Sequence, residues 1–186
     1  MRRITVSAVV AAIMLFSIAS NAQVYNTAQK LREGTFRLCI APILLVDGGV
    51  SPGIYALGGA SITHEIDLYG NVRLANNGRS FLGIDLQWAL ARGTPALSLT
   101  TGAHVSDNIG LDGTLDLAFP VGRTVVIYGG LDADIDFTTG ATTVPAWFFF
   151  GPRISLHRNT ALFMEIDLGM TESAPSIVGL GLSFYL

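Results

Sequence analysis

The sequence predicts an all-β chain: a closed, antiparallel, up-and-down barrel that crosses a membrane with its apolar side chains turned outward. Three observations predict it. From Thr35 to the last residue the dominant hydrophobic period is two, not 3.6. Half of the 186 residues are hydrophobic and only 13% are charged, where a soluble domain carries about 25% charge. Finally, Arg79, Arg92, Arg123 and Arg158 fall in or beside turns, where water is, and not along the apolar rows.

The chain begins with a stretch that reads as a signal for export. Arg2 and Arg3 form a positive start, Ala8 to Ala19 a short apolar run, and Ser20-Asn21-Ala22 supplies the small residues that precede cleavage. The run is too short to span a bilayer as a permanent helix, so residues 1–22 are assigned to a cleaved signal peptide. Residues 23–34 are polar and read as a short periplasmic arm, and residues 35–186 as the barrel. Losing Arg2 and Arg3 takes the bases from 11 to 9 against 14 acids, hence the net charge from −3 to −5. A chain this acidic lacks the basic face that nucleic acid requires.

Along the barrel, Ile66, Leu68, Gly70, Val72 and Leu74 alternate with Glu65, Asp67, Tyr69, Asn71 and Arg73. Leu82, Ile84, Leu86, Trp88 and Leu90 alternate with Gly83, Asp85, Gln87 and Ala89. Ile109 to Leu117 oppose Gly110, Asp112, Thr114 and Asp116, and Val125 to Phe137 carries Asp132, Asp134 and Asp136 on its polar side. Leu162 to Met170 oppose Glu165 and Asp167, and Val178 to Leu186 closes the chain. Turn signals lie between: Asn76-Asn77-Gly78, Arg92-Gly93-Thr94-Pro95, Pro120-Val121-Gly122-Arg123 and His157-Arg158-Asn159. Longer loops fall at Asp47 to Gly53, Thr138 to Pro145 and Thr171 to Ser176. Eight strands result if Ile54 to Leu74 and Ala96 to Phe119 are each continuous, and the alternation runs unbroken through both. Ten result if they break at Thr63-His64-Glu65 and Ser106-Asp107-Asn108. Eight is the preferred reading and ten the alternative. Either count puts the longer loops at the end opposite the chain termini, the asymmetry of barrels in a membrane.

A soluble secreted ligand-binding barrel shows the same alternation with the faces exchanged. The membrane reading is favoured because apolar rows run free of charge and polar rows are rich in Gly, Ala, Ser and Thr, which suit a narrow interior. Aromatics gather near strand ends (Phe119, Phe137, Trp147, Phe148, Phe184, Tyr185), as an interfacial girdle requires. Trp147, at the head of the Phe148-Phe149-Phe150 run, is assigned to anchoring at that interface.

The export signal, the Gly-rich alternating strands and the ending Gly179-Leu180-Gly181-Leu182-Ser183-Phe184-Tyr185-Leu186 resemble the small bacterial outer-membrane β-barrels. That resemblance implies a place in the outer membrane, contact with its lipid, and delivery by the barrel assembly machinery, which reads the C-terminal strand.

With apolar rows facing lipid, ten acids point inward: Glu65, Asp67, Asp85, Asp112, Asp116, Asp132, Asp134, Asp136, Glu165 and Asp167. The bases sharing that space are Arg37, Arg73 and Arg153. A buried carboxylate must be hydrated, protonated or matched with a cation. Two readings follow. In one, the acids with Arg73 and Arg153 form a hydrogen-bonded network in a filled barrel, whose role is structural or one of surface interaction. In the other, they line a narrow pore that prefers cations. Catalysis is not expected: no Gly-x-Ser-x-Gly elbow is present, and His64, His104 and His157 do not converge on one face. No cofactor is implied and no metal-ligand spacing is evident. The Asp132-x-Asp134-x-Asp136 run lacks the Gly and distal Glu of a calcium loop. Cys39, the lone cysteine, is read as a buried inert thiol.

Overall fold

A computed structural model describes residues 26–76, 80–138 and 140–186; the signal stretch and Arg79 lie outside them. The alternating runs become eleven strands: β1 (Phe36–Val46), β2 (Val50–Ser61), β3 (Ile66–Ala75), β4 (Phe81–Arg92), β5 (Ala96–Val105), β6 (Ile109–Val121), β7 (Val125–Thr138), β8 (Ala141–Thr143), β9 (Ala146–His157), β10 (Thr160–Gly169) and β11 (Ser176–Tyr185). Ten of them form a closed antiparallel barrel, and β8 adds a short ribbon to the end of β7. Closure joins the first strand to the last, with Arg37 opposite Tyr185 and Val46 opposite Ser176. Every long strand thus has a neighbour on both sides, which a lipid environment demands of backbone N–H and C=O groups.

The preferred count of eight is therefore corrected to the alternative of ten. Both suspected breaks are turns. At the first, Ile62 and Thr63 donate their N–H groups to the Ile66 carbonyl (2.9 and 3.1 Å), and the Thr63 hydroxyl accepts from the Glu65 and Ile66 N–H groups. A side-chain oxygen does here what Gly or Pro usually does. The alternation hid this turn for a geometric reason. Gly59 faces Tyr69 and Gly58 faces Gly70. Odd residues therefore sit opposite odd residues, and the same parity points inward on both strands. The hairpin at Ser106 to Asn108 behaves likewise, with His104 opposite Gly110.

The two faces are the reverse of a soluble barrel. Leu82, Ile84, Leu111, Leu131, Ile135, Phe148 and Leu180 are exposed, while Asp67 and Asp116 are 0% exposed and Asp167 is 2%. Large side chains fill the interior, among them Tyr55, Tyr69, Tyr128, Phe149 and Phe163, all essentially inaccessible. A narrow barrel holds them because small residues stand opposite: a Cβ on Gly59 would fall in the ring of Tyr69. Cys39 also points inward and is buried.

The aromatic girdle is partly corrected. Phe119, Phe137, Phe148 and Phe184 face outward, but Trp147 is only 1% exposed and donates its indole N–H to the Pro175 carbonyl (2.8 Å). Its parity with Phe149, not its position at a strand end, decides its direction. Trp147 is an inward plug beneath the 170–175 loop and not an interfacial anchor. Residues 26–31 also turn inward, at the barrel end where β1 begins and β11 ends, with Asn26, Thr27, Ala28 and Leu31 buried.

Two measurements check these directions. With Trp88 on the lipid-facing row and Trp147 inside, brominated acyl chains should quench the fluorescence of Trp147→Phe strongly and that of Trp88→Phe weakly. Leu131→Arg places a charge on the lipid face and should cost about 2–4 kcal/mol of folding free energy in liposomes, read by urea titration.

Candidate functional site: the acidic lumen

Hairpins fix which inward residues meet. Across β5, β6 and β7, His104 stands opposite Gly110, and Gly110 opposite Asp136; one step along, Gly102 faces Asp112, which faces Asp134. Gly110 leaves room for the imidazole to lean over β6 and reach the far strand. A Cβ there would collide with the His104 ring and lie 2.7 Å from Asp136 Oδ1. The result is a carboxylate on each ring nitrogen. His104 Nε2 is 2.8 Å from Asp136 Oδ1, and Nδ1 contacts Asp112 Oδ1 directly. The ring also packs against Phe81, with centroids 5.0 Å apart.

The other acids find different partners. Asp67 accepts the Leu31 N–H (2.7 Å) and pairs with Lys30 Nζ (3.2 Å). Asp85 accepts from Asn71 Nδ2 (2.5 Å), Asp132 from the Thr114 hydroxyl (2.5 Å), and Asp116 from the hydroxyls of Ser98 (3.2 Å) and Thr100 (3.5 Å). Hydroxyl and amide donors thus solvate carboxylates that water does not reach. Glu165 and Asp167 lie buried on the same face of β10. Asp134 differs. It is 1% exposed, and neither carboxylate oxygen has a hydrogen-bond partner.

Two inward assignments change. Glu65 sits exposed in the β2–β3 turn beside His64 (3.4 Å) and is outside the lumen. Arg153 faces the lumen but does not join the acids: it donates to Gln29 Oε1 (3.0 Å) and stacks over Tyr185 (5.5 Å). Arg73 is buried with its guanidinium over Phe81 (5.5 Å). Charge is unevenly distributed along the barrel. At the end holding the termini, a cavity of about 790 Å³ is lined by Lys30, Arg32, Arg37, Arg153 and Arg158. Asp112, Asp134 and Asp136 cluster toward the opposite end.

Sequence reasoning missed His104 as a partner of acids and missed the inward packing of Asn26, whose amide donates to Gln87 Oε1 (3.0 Å) and accepts from Arg37 (2.9 Å). The inward parity of His104 was legible, but its neighbours depend on the turn at Ser106 to Asn108. The polar composition of residues 26–34 offered no sign of which way they fold.

No family model and no curated protein matches the sequence. Solved structures are similar. The KdgM porin is 7% identical, with 80% of this chain and 98% of that chain covered and a TM-score of 0.50. The outer membrane protein Omp33 of Acinetobacter baumannii is 7% identical (82% and 98% covered, TM-score 0.48), and the attachment invasion locus protein Ail of Yersinia pestis is 12% identical (83% and 100%, 0.40). The closed barrel with an outward apolar face and the KdgM likeness agree: this chain has the fold of the small bacterial outer-membrane β-barrels.

The packing around the imidazole makes one position decisive. Gly110→Val forces the His104 ring and the Asp136 carboxyl apart, and should destabilise the barrel by about 1–3 kcal/mol, the usual cost of overpacking. The urea midpoint of the refolded protein reads it.

Proposed function

We propose that this outer-membrane barrel is sealed and non-catalytic, with a structural or surface-interaction role, and with its termini and basic cavity in the periplasm. The observation that carries this reading is the filled lumen. Trp147, Tyr55, Tyr69, Tyr128, Phe149, Phe163 and Gln87 are all below 2% exposed, and residues 26–31 pack into the end that would otherwise open to the periplasm. A passage for hydrated ions needs continuous water contact along its wall, and these side chains have almost none. The soluble-barrel alternative requires the opposite orientation of the two faces.

The non-catalytic part of the reading is supported by the surroundings of His104. Its hydrogen-bond partners are two carboxylates, where a hydrolytic site pairs its base with a nucleophile. Assembly by the barrel assembly machinery through β11 fits the closing role of that strand.

A narrow cation-preferring pore is the second reading, favoured by Asp132, Asp134 and Asp136 standing in a row on one wall. Planar-bilayer recording separates the two. The purified barrel should insert without producing conductance steps. Cation-selective steps that diminish in Asp132→Asn or Asp136→Asn would retire the sealed-barrel reading.

A further inference from the structure

Three side chains on three successive strands bring metal-binding atoms together. His104 on β5, Asp112 on β6 and Asp134 on β7 each offer one ligand atom, and these atoms lie within 4.8 Å of one another. We propose that they bind a divalent transition-metal ion, of the zinc or cobalt kind, at the end of the lumen opposite the chain termini.

Two observations beyond the clustering point to a ligand. The first is Asp134. Its carboxylate is 1% exposed, reaches into the cluster, and has no hydrogen-bond donor on either oxygen. Asp112 Oδ2 likewise lacks a donor. Such groups are costly unless they are hydrated, protonated or met by a cation, and a bound cation satisfies both oxygens of Asp134 at once. The second is Asp136. It holds His104 Nε2 at 2.8 Å, which fixes the ring and leaves Nδ1 as the nitrogen aimed at Asp112. A carboxylate on the far nitrogen of a liganding imidazole is the recurrent outer-shell arrangement of metal sites, and it raises the basicity of the coordinating nitrogen.

The charges of the liganding set agree. A neutral imidazole and two carboxylates carry two negative charges, which one divalent ion cancels, while the third carboxylate, Asp136, is held by the Nε2 proton. The donor set selects the class of ion. Imidazole nitrogen suits zinc and its transition-metal neighbours, whereas calcium needs six to eight oxygens. Three protein ligands leave room for a water. Approach is short, since Asp112 is partly exposed and the β5–β6 turn lies four residues before it. The metal-free alternative is an imidazolium clamped between Asp112 and Asp136. It supplies one charge for three carboxylates, so Asp134 must take a proton and share it with Asp112.

The test is a Co²⁺ titration of the refolded full barrel in detergent, followed by visible absorption. The site predicts one Co²⁺ per chain with ligand-field bands, displaced by Zn²⁺ and not by Ca²⁺. His64→Gln/His157→Gln, which removes the turn histidines, should bind as tightly as the wild type. Asp134→Asn should weaken binding at least about tenfold, and Asp136→Asn by about 10- to 100-fold, the usual cost of losing such a support. Heat-modifiable migration checks that each variant is folded, and the wild-type spectrum decides the matter even if a variant is not. Absence of Co²⁺ binding by the folded wild type, binding lost with the turn histidines, binding unchanged in folded Asp134→Asn, or preference for Ca²⁺ would each overturn the proposal.

Discussion

Closure of the hydrogen-bond ladder is the constraint from which the rest of this molecule follows. In hydrocarbon an unpaired backbone N–H or C=O has no water to turn to, so β1 must meet β11, and it does so almost along its whole length. Once the sheet is closed, every residue has one of two fates. Most leucines and isoleucines go outward because lipid accepts them. Acids go inward because lipid does not accept charge, and large rings such as Tyr128, Phe149 and Phe163 share the crowded interior with them. The low charge content and abundance of glycine are two consequences of one geometry.

The interior then has to solve its own electrostatics without bulk water. It uses three devices in different places. Near the termini, the N-terminal segment brings Lys30 and a backbone N–H to Asp67. Along the middle, hydroxyls of Ser98, Thr100 and Thr114 solvate Asp116 and Asp132. Toward the other end, one imidazole serves two carboxylates. Each device adds packing as well as polarity. Bases line the mouth near the termini and Asp112, Asp134 and Asp136 gather toward the other, with Asp67 among the bases and Arg73 among the acids, so the lumen's charge is unevenly spread along its axis. A chain read only for net charge would not show it.

Much of this was legible in sequence, because a membrane barrel writes its fold in a period of two. The inward direction of Asp67, Asp85, Asp132 and Asp167 follows from parity alone, as does the outward direction of Leu131 and Ile135. Parity is silent on two matters. It cannot see a hairpin that pairs odd residues with odd, so the Thr63 turn passed for mid-strand. Nor does it respect the rule of thumb that aromatics at strand ends are anchors, and so it places Trp147 inside with Phe149. The segment 26–34 has no period, and its docking depends on long-range partners such as Gln87 and Asp67.

The strand count governs the chemistry as much as the topology. If Ala96 to Phe119 were one strand, His104 and Asp112 would lie eight residues apart along it, about 27 Å at the rise of an extended chain. Folding that segment at Ser106 to Asn108 sets His104 opposite Gly110 and carries Asp112 back beside it. The next turn, through Gly122, delivers Asp134 and Asp136 from the other side. Two turns of a few residues thus convert a scattered list of inward acids into a converging set of ligands. Glycine at 110 is what lets the convergence happen, because any larger residue would occupy the space through which the imidazole reaches its second carboxylate.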